Sequence, residues 1–191
     1  MKDPEKIAVG LVAMGRIPEI VLKIISAHIS GYLNLTADYL PPLALPADCL
    51  DKKRLQYDAA KLIQYLEGQM FTDYLKIIGL VEDDLFLPIF THVFGEAQQG
   101  GTHAVISLAR LHCRENGLQL PDAEFYERIA KIALHELGHL FNLFHCQDRL
   151  CLMHFSGSLE TLDAIDLNFC PYCQRFLDDA CHRMGIVNLI K

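Results

Sequence analysis

The 191-residue chain has no run of lysines or arginines, and its 17 basic against 24 acidic side chains give a formal net charge of -7. Nucleic-acid binders carry a basic face that neutralises phosphates, so this balance argues against a polyanion partner. No apolar stretch approaches the roughly 18 residues of a membrane span. Residues 1–10 carry acidic side chains and a strand-like pattern where a secretory signal would have its apolar core. Internal repeats and low-complexity segments are also missing. These absences leave a cytoplasmic globular protein as the expectation, and the 51% hydrophobic content supports one domain with one substantial core. Asn34-Leu35-Thr36 matches a glycosylation acceptor, which reads as inert without a secretion signal.

Hydrophobic periodicity sets an expected order of elements. Residues 7–13 read as a buried strand, and Pro18 opens a helix with Ile20, Val21, Ile24 and Ile25 on one face. Residues 34–40 read as a strand stopped by Pro41-Pro42, and residues 53–67 as a helix with Leu55, Ala59, Leu62, Ile63 and Leu66 as its stripe. A third strand covers 74–81. Strands alternating with helices signal an α/β fold with a mixed, largely parallel twisted sheet. Two further strands, 90–96 and 104–111, flank the flexible Gln98-Gln99-Gly100-Gly101, and one of them at the sheet edge could pair with an extended peptide. Asp122 is the expected N-cap of a long helix through Phe125, Ile129, Ile132 and Ala133, and a last helix covers 172–184.

The long helix ends in His-Glu-Leu-Gly-His-Leu-Phe-Asn-Leu-Phe-His-Cys, residues 135–146. Residues four apart share a helix face, so His135 and His139 can reach one metal ion with Glu136 beside it. His145 is too far round to join them unless the chain turns back after about Asn142. Three protein ligands leave a fourth position for water, the arrangement of a catalytic zinc. Met153 follows in a non-helical segment, where a Met-turn would pass beneath the metal. The expected chemistry is peptide hydrolysis by zinc-bound water, with Glu136 as general base and then general acid.

Cys146 and Cys151 are separated by four residues, Cys170 and Cys173 by two, and the pairs by eighteen. Paired thiols joined by a spacer suit a closed tetrahedral zinc site, giving two zinc ions per chain, one catalytic and one structural. Such a site would pin the segment that carries His145. Zinc ribbons often bind nucleic acid, yet the only Lys or Arg from Cys146 to Cys173 is Arg149, against Asp148, Glu160, Asp163 and Asp166.

These residues resemble the archaemetzincins, a metzincin-related zinc metalloprotease family. The match rests on His135, Glu136, His139, His145, Cys146, Cys151, Met153, Cys170 and Cys173, with Phe155-Ser156 after the methionine also similar. The resemblance implies a metzincin-like α+β fold with a cleft between an upper subdomain, residues 1–141, and a lower one, 142–191. It implies the same two zinc sites, Glu136 as base, Met153 as the Met-turn support, and peptidase chemistry with an aminopeptidase-like character as one variant. The family normally has glycine where this chain has Asn142, at a turn that favours positive φ, and asparagine is the next most tolerant residue there.

The remaining candidates have plainer readings. His154 reads as a solvated turn residue, His92 and His103 as packing or surface residues, and Cys49, Cys113 and Cys181 as buried free thiols. Glu160, Asp163 and Asp166 read as a solvated face. The expectation is a monomeric, cytoplasmic zinc metallopeptidase acting on peptide or protein substrates, with no nucleic-acid or membrane partner. The alternative is a zinc-stabilised peptide-binding protein with a weak or inactive site.

Overall fold

A computed structural model describes residues 8–69, 71–112 and 121–186. Its elements run β1 (Ala8–Met14), α1 (Glu19–Leu33), β2 (Thr36–Leu43), β3 (Leu50–Asp51), β4 (Gln56–Asp58), α2 (Ala59–Glu67), β5 (Lys76–Val81), β6 (Leu85–Phe86), β7 (Gly95–Ala97), β8 (His103–Ser107), α3 (Asp122–Leu140), α4 (Leu159–Ala164) and α5 (Pro171–Arg183). The main sheet has the order β2-β1-β5-β8-β7. Its first four strands are parallel, and β7 pairs antiparallel with β8 at the edge.

The central strand β5 is buried along its whole length, as a strand covered on both faces must be. Its side chains alternate between two cores. Ile78 and Leu80 pack with α1, α3 and the C-terminal segment, whereas Ile77 and Val81 pack against α2. The first core is continuous from Val9 through Leu137 and Met153 to Leu177, so helix α3 and the C-terminal segment share one apolar interior.

Several sequence expectations shift, each for a local reason. Strand β2 runs through Pro41-Pro42 to Leu43, because it is an edge strand in which a missing N–H breaks no ladder bond. The register with β1 slips there, Val12 facing Leu40 while Met14 faces Leu43. Residues 53–58 are not helical: Leu55 lies in a turn at φ 55 and is 76% exposed, and helix α2 begins only after Asp58, whose carboxylate accepts from the Lys61 N–H. Ile20 faces outward, and Val21, Leu22, Ile25, Ile29 and Leu33 form the buried stripe of α1.

Residues 90–94 form a loop instead of a strand. A single antiparallel bridge, Val93 to Leu85, is its only ladder pairing among the described residues, and side chains add the rest: the Gln56 amide donates to the Thr91 carbonyl and to Asp84, and Arg110 forks onto the same Asp84 carboxylate. Helix α3 is capped by Pro121, and Asp122 sits in its first turn with Glu124, where carboxylates favour the helix dipole. The expected thiol at Cys113 lies outside the described residues.

Candidate functional site

Helix α3 carries His135, Glu136 and His139, and ends at Leu140. Asn142 then adopts φ 69, the left-handed conformation that swings residues 143–145 back toward the helix. The turn brings the His139 and His145 Nε2 atoms to 3.2 Å, with His135 and His139 Nε2 at 3.1 Å. His135 donates Nδ1–H to the Leu152 carbonyl at 2.7 Å, and His139 donates Nδ1–H to the Leu143 carbonyl at 2.8 Å. Those bonds fix the tautomers and leave bare Nε2 lone pairs facing one another.

Lone pairs so placed repel unless a cation lies between them. A tetrahedral zinc with Zn–N bonds of about 2.0–2.1 Å would set its nitrogen ligands roughly 3.3 Å apart, close to the observed spacing. In the metal-free protein, burial and the neighbouring His139 push the His135 imidazole down to about 3. Burial also lowers His139, and burial with His139 lowers His145. Neutral imidazoles are the form that binds metal.

Glu136 is almost fully buried, at 6% exposure, and points at edge strand β7. A Cβ on Gly95 would come within 2.5 Å of its Oε1, so the absence of a side chain there makes room for the carboxylate. Burial, reinforced by Glu96, holds Glu136 well above the usual carboxylate range. Met153 is fully buried against α3, its sulfur next to Gly138.

A cleft of about 410 Å³ opens over these groups. Its upper rim is Phe90–Ala97, including β7, and its lower rim is Phe155, Ser156 and Gly157. The Phe90 and Phe155 rings approach to 6.2 Å across it. Gly95, Gln99, Lys131 and Phe155 therefore belong to the cleft, together with His92, which had been set aside. The segment around Gly95 and Gln99 is expected from the sequence as a peptide-pairing edge and Phe155 is marked by family resemblance, whereas Lys131 and the cleft-facing role of His92 carry no spacing signal in the sequence.

Below the cleft, the thiols of Cys146, Cys151, Cys170 and Cys173 converge, and no described cysteine forms a disulfide. Cys146 and Cys170 Sγ lie 3.8 Å apart, too far for a disulfide and close to the roughly 3.8 Å expected for two thiolates on a zinc at about 2.3 Å. Backbone N–H groups of Met153 and Cys170 donate to Cys151 Sγ, and that of Cys173 to Cys170 Sγ, a setting built for negative sulfur. Without metal, burial pushes Cys151 up to about 11 and Cys173 higher still. Cys170 is held below its ordinary value, because hydrogen bonds from the Cys173 N–H and neighbouring thiols outweigh its burial.

His154 is only partly exposed, and its ring donates to the Cys146 carbonyl at 3.0 Å, while the Cys146 N–H donates to Met153. This corrects the reading of a free turn residue: His154 ties the cysteine loop to the segment under the histidines. Asp163 is half exposed but forks onto the buried Arg128 of α3, so it is more than a solvated face. Cys49 and Cys181 are buried, as expected of structural thiols.

Residues 25–179 match the model of peptidase family M54. The archaemetzincin of Methanopyrus kandleri is 39% identical over 174 residues, covering 90% of this chain and 95% of that protein. That of Haloquadratum walsbyi is 33% identical over 172 residues, covering 88% and 98%. The crystal structure of the Methanopyrus kandleri protein superposes with a TM-score of 0.83 at 36% identity, covering 94% of this chain and 97% of that one. A zinc-dependent peptidase from Methanocorpusculum labreanum gives 0.77 at 28% identity, covering 88% and 99%. With the histidine and cysteine clusters in place, the chain belongs to peptidase family M54 and is a zinc metalloprotease of the archaemetzincin type.

Proposed function

We propose that the cleft hydrolyses peptide bonds with a zinc ion held by His135, His139 and His145, and that a second zinc on Cys146, Cys151, Cys170 and Cys173 is structural. The observation that carries this reading is the convergence of three Nε2 atoms, those of His135 and His139 bare of protons, beside a buried carboxylate. When bound at the histidines, zinc supplies a Lewis acid that polarises the scissile carbonyl and lowers the pKa of a water toward about 7.

Glu136 takes the proton that water loses as its oxygen attacks the carbonyl carbon, and then gives that proton to the leaving amine nitrogen. Its burial sets it apart from the solvated surface carboxylates, as suits a group that takes and returns a proton. The free edge of β7 offers main-chain N–H and C=O groups to an extended peptide, and Met153 supports the floor.

We place the division between upper and lower subdomains at Asn142, residues 1–141 against 142–191, because the chain reverses there. Four thiols held ready for a metal also favour a reducing compartment such as the cytoplasm. Amino-terminal cleavage has one observation in its favour: Glu96 lines the cleft, and a free ammonium group beside it would hold its carboxyl ionised.

Metal analysis and a cleavage-site profile on unbiased peptides, run beside Glu136→Gln, test the reading. Wild type should bind two zinc ions and cut peptides, and the variant should keep both ions and lose roughly 10²–10⁴-fold in kcat. A variant that cleaves as fast as wild type refutes the role of Glu136. Peptide binding by wild type without cleavage points instead to a binding protein.

A further inference from the structure

Asn142 replaces the glycine expected at the turn between the second and third histidines, and the structure surrounds it with partners. The loop between β7 and β8 folds against the end of α3, where the Gly100 N–H donates to the His139 carbonyl at 2.8 Å. Gly100 has φ 66, and a Cβ there would lie 3.1 Å from Asn142 Oδ1, so the two left-handed residues nest against each other. Beside them the Gln99 Nε2 group donates to Asn142 Oδ1 at 3.2 Å and to the Leu143 carbonyl at 3.0 Å. Buried Lys76 completes the contact from β5, donating to the carbonyls of Leu140 and Gly101, both at 2.7 Å.

The Leu143 carbonyl is the focus of this arrangement. It accepts from Gln99 and also from His139 Nδ1–H, the bond that sets that ring's tautomer and aims its Nε2. Leu143 is also two residues from His145, so its placement sets the path of the third histidine.

We propose that Gln99 is a positioning residue for the histidine zinc site. Its amide holds Asn142 and the Leu143 carbonyl together, which stabilises an asparagine in a glycine-like turn and aims His139 and His145 at a common point. Among the described residues Gln99 hydrogen-bonds to neither imidazole, and it acts through the turn. Because Gln99 also lines the cleft just beyond β7, it links the edge available to a peptide with the geometry of the metal site.

The proposal rests on the reading of His135, His139 and His145 as a zinc site. The test is a chelator-competition titration of zinc on the full chain, for wild type, Gln99→Leu and the isosteric Gln99→Glu, with visible spectra of the cobalt(II)-loaded proteins. Each variant should lose roughly tenfold or more in zinc affinity at the histidines, with an altered cobalt spectrum, while the four-cysteine site keeps its affinity. Unchanged affinity and spectrum in both variants overturn the role of Gln99. Equal losses at both metal sites overturn it too, since they mark general damage to the fold. Wild type that binds no zinc at the histidines defeats the underlying site reading instead, so the two failures are distinct.

Discussion

Gly95→Ala should impair catalysis without unfolding the protein. Gly95 is not among the positive-φ residues, so alanine is compatible with its backbone. The added Cβ, however, would sit 2.5 Å from Glu136 Oε1 and 2.8 Å from its Cδ and Cγ, about 0.9 Å inside the 3.4 Å at which ordinary contact begins. The backbone of β7 is held by its pairing with β8, so the flexible end of Glu136 is the part that yields. A displacement near 1 Å at a reacting group costs on the order of 10²-fold in rate, about 2.7 kcal/mol. Steady-state kinetics on a cleaved peptide should show kcat falling by roughly that factor, while zinc content and the unfolding midpoint stay near wild type. Activity within threefold of wild type would refute the placement of Glu136 against β7 as the working geometry.

Two other perturbations probe the framework. Arg128 is 2% exposed, forks onto Asp163 with two bonds of 2.7 Å, and donates to the Leu111 carbonyl, so Arg128→Met should lower stability by about 2–3 kcal/mol in urea unfolding. That is less than for a fully buried pair because Asp163 is half exposed and can rehydrate, and a loss under about 0.5 kcal/mol contradicts the pairing of α3 with α4. Zinc loading followed by calorimetry in buffers of different ionisation enthalpy should distinguish the two sites at pH 7.5. Histidines with folded pKa values pushed downward are already neutral there, so only the water on that zinc releases a proton, about one at most, whereas Cys151 and Cys173, pushed upward, must both lose theirs at the four-cysteine site. The sign also sets the pH window: affinity at the cysteines should rise steeply with pH through the neutral range, while affinity at the histidines rises more shallowly, by the single proton of the bound water. Equal proton release at both sites contradicts the assignment.

The chemistry-bearing residues were legible because their spacing is itself geometry. A helix puts His135 and His139 on one face whatever surrounds it, and Cys-x-x-Cys at the start of a helix puts two thiols together. The parallel core was legible too, since Ile77, Ile78, Leu80 and Val81 form a nearly continuous apolar run. Edges and loops were not. Pro41-Pro42 end a central strand but not an edge strand, and only the sheet order distinguishes the two. Leu55 fits a helical stripe in sequence, yet tertiary pairing of β3 with β4 turns it outward. The contacts of Gln99, Lys76 and Gly95 with the active helix and the turn after it cross 41 to 64 residues of chain, and nothing local encodes them.

The central claim is that His135, His139 and His145 share one zinc ion with a position left open. Anomalous diffraction at the zinc edge from crystals of the zinc-loaded chain tests it most directly. The account predicts two peaks, one among the four cysteine sulfurs and one about 2.0–2.1 Å from the three Nε2 atoms with no fourth protein ligand. A single peak at the cysteines, or a protein side chain filling the fourth position at the histidines, would contradict it.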